Sequence, residues 1–130
     1  EVIICDKRRK RANEIESMSI IGDVTGQDVV LIDDICDTAG TLSKAAALIM
    51  ESGAKSVRAV CTHAVLSGKA YETIENSMLT EMIVTDTIQL DPEKAKLASK
   101  IRVLSTASLF AAAIKNVNQH GSISDLFEIE

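Results

Sequence analysis

One stretch limits what this chain can fold into more than any other: Val29-Val30-Leu31-Ile32-Asp33-Asp34-Ile35-Cys36-Asp37-Thr38-Ala39-Gly40-Thr41-Leu42. Its apolar opening is mostly β-branched and reads as a short buried strand. Two adjacent carboxylates, Asp33 and Asp34, stand at the C-terminal end of that strand. A small polar turn, Asp37 to Thr41, then leads into a helix-forming run. Strand, turn and helix in this order make half of a βαβ unit. The chain is therefore expected to be an α/β protein with a mostly parallel sheet and helices on both faces. In such sheets ligands bind at the C-terminal edge of the strands.

The turn has the composition of a phosphate cradle. Gly40 lets the backbone approach an anion, Thr38 and Thr41 offer hydroxyls, and the first N–H groups of the following helix point into the same space. Asp33 and Asp34 would repel a phosphate. They suit the other end of a sugar phosphate, where each can accept from neighbouring hydroxyls or from the waters of a Mg²⁺ ion. A ribose 5-phosphate meets both demands.

The order of residues from Val29 to Leu42 resembles the phosphoribosyl-binding motif of type I phosphoribosyltransferases, an apolar run, two acidic residues and then Asp-Thr-Ala-Gly-Thr. The resemblance implies that Asp37, Thr38, Ala39, Gly40 and Thr41 hold the 5-phosphate and that Asp33 and Asp34 grip the ribose hydroxyls.

Composition sets wider bounds. At 130 residues, 46% hydrophobic and 25% charged, the sequence is long enough for one domain with a real core. No apolar run approaches the length of a membrane span, and no signal peptide is evident. The net charge of −5 argues against general nucleic-acid affinity, and the near absence of aromatic residues argues against a base-stacking surface. Cys5, Cys36 and Cys61 are widely spaced, with no CxxC pair, so neither a zinc site nor a disulfide framework is indicated. Cys5 and Cys61, in or beside apolar runs, read as small core residues, all of which fits a reducing cytoplasm, and no metal ligands are assigned within the chain. The sequence opens on Glu1, in what reads as mid-strand, and is expected to be the C-terminal part of a longer chain.

Taken in order, Glu1 to Cys5 reads as a strand running into Asp6-Lys7-Arg8-Arg9-Lys10-Arg11-Ala12-Asn13. A basic run of this kind repels itself. It could be a solvated loop, a nucleic-acid or localisation patch, or a mobile arm that closes over a polyphosphate. Lys7-Arg8-Arg9 followed by Asn13 resembles the catalytic flexible loop of the ribose-phosphate pyrophosphokinases, which make phosphoribosyl pyrophosphate. That likeness implies that Lys7 and Arg9 contact the transferred phosphoryl groups.

Ser17 to Val24 alternates weakly and is expected to pair, hairpin-like, with the strand from Asp28. Leu42, Ala45, Ala46, Ile49 and Met50 form one apolar stripe of a helix over Thr41 to Ser52, stopped by Gly53. Ser56 to Val65 is a second buried strand. His63 lies at its functional end, where it could line the site or be a satisfied structural histidine. The family's usual Thr-His-Pro is Thr-His-Ala here. Lys69 to Asn76 reads as a helix and Glu81 to Thr85 as a strand, with Thr85 and Asp86 weak candidates for ligand lining. Pro92 initiates a Lys-rich helical segment. Ile101 to Leu104 is the next strand. A helix from Ala107 to Val117 follows, capped by Ser105 or Thr106, with Leu109, Ala112, Ala113 and Ile114 inward. Ser122, Ser124 and Phe127 resemble the Ser-x-Ser-x-x-Phe ending of the pyrophosphokinases, which implies a regulatory phosphate and nucleotide site between subunits.

The likeness as a whole implies transfer of a diphosphoryl group from ATP to the anomeric hydroxyl of ribose 5-phosphate. Mg²⁺ comes with the ATP. It also implies a homo-oligomer of dimers that build a hexamer, with no nucleic-acid or membrane partner. The ATP pocket and its metal-binding His belong to an N-terminal half outside this sequence, so the chain alone is expected to bind ribose 5-phosphate but not to turn over. Three alternatives stay open: a nucleobase phosphoribosyltransferase, a non-catalytic regulatory homologue, and a phospho-receiver domain. The Lys-Arg-Arg run and the serine-rich tail count against the first. Intact Lys7, Arg9 and Thr38-Ala39-Gly40-Thr41 count against the second. The third has no use for the Thr-Ala-Gly-Thr turn.

Overall fold

The computed structural model describes the backbone of residues 4–11 and 14–127 and the side chains of residues 19–127. Its centre is a parallel sheet of β3 (Asp28–Cys36), β4 (Ser56–Ala64), β5 (Glu81–Thr85) and β6 (Ile101–Leu104), hydrogen-bonded in that order. Each strand is followed by a helix: α1 (Gly40–Glu51), α2 (Ala70–Glu75), the single turn α3 (Pro92–Ala95) and α4 (Ala107–Asn118). This is the α/β fold with a parallel sheet that the βα pattern predicts. The register places Asp33 opposite Cys61 and Cys36 opposite Ala64. All four strands end at one edge, next to the turn that follows β3.

Burial follows the strand alternation. Val57, Ala59 and Cys61 of β4 and Met82 and Val84 of β5 are buried against Ala45, Ala46 and Ile49 of α1 and Ala70, Tyr71 and Ile74 of α2. Parallel crossovers are right-handed, so connections that each step one strand outward bring their helices to one face. The other face, where helices are also expected, is open among the described residues at Val30, Ile32 and Val60, where Ile32 is 83% exposed. The α1 stripe is as expected: Ala45, Ala46 and Ile49 are buried, and Leu42 and Met50 pack against the core. Gly53, at φ 92°, ends the helix in a Schellman arrangement. Its N–H donates to Met50 O (3.0 Å), and Ala54 N–H donates to Ile49 O (3.3 Å).

Two expectations are corrected. The segment before β3 does not pair with it. β2 (Glu14–Ile21) pairs antiparallel with β1 (Ile4–Arg11) in a separate two-stranded sheet, with Lys7 opposite Met18 and Arg9 opposite Ile15. The connector explains this. Gly26 N–H donates to Gly53 O and Lys55 N–H to Gln27 O, both at 2.8 Å, so the turn before β3 is tied to the α1–β4 loop. β4 takes one edge of β3, and β2 does not take the other. The basic run, read as loop or arm, accordingly has strand backbone. The second correction concerns α4, whose expected inward face is not buried: Leu109 is 49% and Ile114 68% exposed. No described element covers it.

Candidate functional site

The candidate site is the turn between β3 and α1. Its geometry departs from simple strand-to-helix continuation at two points. The first is Asp33-Asp34. Burial in β4 runs Val57, Ala59, Cys61 and then skips to Ala64, and in β3 it passes to Cys36. The alternation therefore breaks beside the two carboxylates. Asp34 N–H donates to Asp33 Oδ1 at 3.0 Å, and Asp34 is skipped in the register with β4, which resumes at Ile35. Both side chains are exposed. A pair of adjacent carboxylates left in solvent at a strand's end keeps acceptor oxygens available to hydroxyls.

The second point is Ala39, the N-cap of α1, which holds the left-handed region at φ 61° and is buried. A left-handed alanine costs on the order of 1 kcal/mol. It turns the chain sharply enough that α1 starts at Gly40, directly above the strand end. The helix has no side-chain cap and no acidic residue in its first turn, so the positive end of its dipole faces the turn. A Cβ built on Gly40 would meet only Thr38 Oγ1, at 3.9 Å, so the space beside it is open to an incoming group. The twelve-residue helix α1 thus presents free donors and space for an anion.

The loop after β4 closes the floor. Cys36 O accepts from Val65 N–H (3.0 Å) and Leu66 N–H (3.2 Å), and Asp37 O accepts from Ser67 N–H (3.1 Å). The Ser67 hydroxyl donates to Asp37 Oδ1. The Asp37 carboxylate is thus engaged, and its own N–H is what it can offer a ligand. Beneath the turn, Cys36 and Cys61 are buried free thiols. Burial, helped by the neighbouring Cys61, pushes Cys36 up to about 11. Burial raises Cys61 as well. Both are core residues, as the apolar surroundings of Cys61 in the sequence suggest for that one.

The next strand ends form a hydroxyl network. His63 Nδ1 is 2.9 Å from Thr87 Oγ1. The hydroxyls of Thr85 (2.7 Å) and Thr87 (3.0 Å) both donate to Thr62 O. One His63 nitrogen is therefore satisfied inside the fold. Asp86 is bonded to residues at the start of α4, with Ser105 Oγ on Oδ2 and Thr106 N–H and Oγ1 on Oδ1. The roles of Thr85 and Asp86 here are to tie strand ends together. In the tail, Asn116 Nδ2 donates to Ser122 O at 2.7 Å and fixes the chain after α4. Ser124 and Phe127 lie in a one-turn 3-10 helix, with Phe127 76% exposed.

The structure brings Asp33, Asp34, Asp37, Thr38, Ala39, Gly40 and Thr41 together at one edge. Lys7 and Arg9 lie on β1, but their side chains, like Asn13, fall outside the described residues. Sequence reading missed Ser67 and the left-handed backbone of Leu66 (φ 49°) and Ala39. A Ser-Gly pair just past a buried strand was the one available sign of a functional turn there.

The model of the phosphoribosyl synthetase-associated domain matches residues 7–128. A ribose-phosphate pyrophosphokinase of Campylobacter jejuni is 54% identical over 127 residues, which is 98% of this chain and 40% of that protein. One of Wolinella succinogenes is 51% identical over the same shares. The chain thus spans about 40% of the length of the curated relatives it matches. The crystal structure of phosphoribosylpyrophosphate synthetase from Mycobacterium smegmatis superposes with a TM-score of 0.76 at 38% identity. It covers 81% of this chain and 35% of that one.

Proposed function

We propose, from the premise that this chain belongs to the phosphoribosyl synthetase-associated domain family, that it is the C-terminal, phosphoribosyl-binding part of a ribose-phosphate diphosphokinase. The observation that carries the reading is the uncapped N-terminus of α1, set over the open space at Gly40 and flanked by exposed Asp33 and Asp34. In this reading the N–H groups and hydroxyls from Asp37 to Thr41 hold the 5-phosphate of ribose 5-phosphate. Asp33 and Asp34 take the ribose hydroxyls, and so aim the anomeric hydroxyl at ATP. Lys7 and Arg9 meet the migrating diphosphoryl charge. Phosphoryl transfer asks the protein mainly for positioning and electrostatic stabilisation, which matches this set of groups.

Mg²⁺ enters with ATP. No three His, Cys, Asp or Glu side chains converge on a metal position among the described residues. In this reading the ion travels with the nucleotide, and Asp33 and Asp34 could accept from its waters. The proposed reaction is a cytoplasmic one; no described helix is long and apolar enough to cross a membrane. The open sheet face at Val30, Ile32 and Val60, the uncovered stripe of α4 and the longer relatives support a chain that continues beyond these residues. Ser122, Ser124 and Phe127, exposed at the tail, are the candidates for a regulatory contact between subunits of a homo-oligomer.

The test is a chimera in which this chain replaces the matching segment of the Campylobacter jejuni relative. It should form AMP from ATP only when ribose 5-phosphate is present, while the isolated chain forms none. A folded chimera without that activity, or AMP formation by the isolated chain, would contradict the reading.

A further inference from the structure

The loop after β4 does more than close the floor of the turn, because it fixes Asp37 at both ends. Ser67 N–H donates to Asp37 O at 3.1 Å, and the Ser67 hydroxyl donates to Asp37 Oδ1. Leu66 holds the bend that makes this possible. Its backbone is left-handed, at φ 49°, and its side chain is 2% exposed, so the loop is pinned into the core just before Ser67.

Asp37 stands two residues ahead of the N-cap Ala39. An aspartate near a helix N-terminus would ordinarily fold over and accept from the free first-turn N–H groups. Here that would fill the donors meant for a phosphate and set one negative charge against another. The helix instead shows no side-chain cap.

We propose that Ser67 is a positioning residue of the phosphate turn. Its hydroxyl holds the Asp37 carboxylate away from the first turn of α1 and so keeps those donors open to the phosphate of the ligand. The inference rests on the reading of that turn as the ribose 5-phosphate site.

A double-mutant cycle tests it. Ribose 5-phosphate is titrated calorimetrically into the wild-type chain, Ser67→Ala, Asp37→Asn and the double variant, at low and at high salt. Ser67→Thr, which keeps a hydroxyl, is titrated alongside. Ser67→Ala should bind roughly tenfold more weakly at low salt, the scale of one charge facing a dianion a few ångströms away through water. The loss should shrink at high salt. Asp37→Asn in the Ser67→Ala background should restore the salt-dependent part of the binding, because the released side chain then carries no charge. Ser67→Thr should bind like wild type. A merely structural brace would weaken every Ser67 variant whatever the charge at residue 37 and whatever the salt. Unchanged binding by Ser67→Ala, or a double variant as weak as the single one, overturns the inference while leaving the site reading intact. A wild-type chain that does not bind ribose 5-phosphate overturns both.

Discussion

Ser105 Oγ donates to Asp86 Oδ2 at 2.6 Å across the ends of β5 and β6. Together with the donors of Thr106, on the other carboxylate oxygen, it holds Asp86 down to about 2 from its ordinary 3.8. A carboxyl lowered in the folded state adds stability that is fully present above its unfolded value and is lost as the pH falls through the folded one. Stability of the wild-type chain should therefore carry a component that fades between about pH 4 and pH 2. Asp86→Asn should lower the thermal midpoint at neutral pH and remove that component. Thermal melts of both proteins across this range check it, and identical slopes would show that the bonds contribute nothing.

Gly40 separates folding from binding. Its missing Cβ leaves space limited only by Thr38 Oγ1 at 3.9 Å, so Gly40→Ala should fold normally and be as stable as wild type or slightly more so. The added methyl would stand where the proposed site holds the phosphate. Affinity for ribose 5-phosphate should fall by roughly tenfold or more, the cost of one or two lost charge-assisted hydrogen bonds. Thermal melting and titration of the same sample give both numbers.

The basic strand should act on the rate and not on sugar binding. In the active chimera, Lys7→Ala and Arg9→Ala should each lower kcat on the order of 10²-fold or more, the scale of removing a preorganised charge from a transition state. KM for ribose 5-phosphate should stay near the parent value, since the proposed function places the sugar at the turn between β3 and α1. A variant that raises only KM would place these residues in sugar binding instead.

The thiols beneath the turn should be inert. Cys36 is 5% and Cys61 1% exposed, and burial holds both in the neutral form. Neither should alkylate at mildly alkaline pH until the chain unfolds. Peptide mapping after iodoacetamide treatment of native and denatured samples gives the comparison.

The elements of the sheet were legible because burial and periodicity agree there. The stripe from Leu42 to Met50 and the Asp91-Pro92 start of α3 are local signals, and the Asp91 carboxylate does accept from Glu93 N–H at 3.0 Å. The pairing of β2 was not legible. It depends on Gly26 and Gln27 being tied to Gly53 and Lys55, just past the far end of α1, a contact with no local sign in the sequence. The inward face of α4 misled for the opposite reason. Leu109, Ala113 and Ile114 have helical apolar spacing, but spacing says only that a face is apolar and not that a partner is present. At the site, residue order pointed to the β3–α1 turn, whereas the geometry that shapes it comes from left-handed Ala39 and from Ser67, thirty residues beyond Asp37.

The most direct test of the account is titration of ribose 5-phosphate, with ribose as the control, into the wild-type chain and into Thr38→Ala and Asp33→Asn. The account predicts saturable binding of the phosphorylated sugar, little or none of ribose, and weaker binding in both variants. Equal affinity for ribose and ribose 5-phosphate, or wild-type affinity in Thr38→Ala and Asp33→Asn, would place the sugar phosphate somewhere other than the turn between β3 and α1.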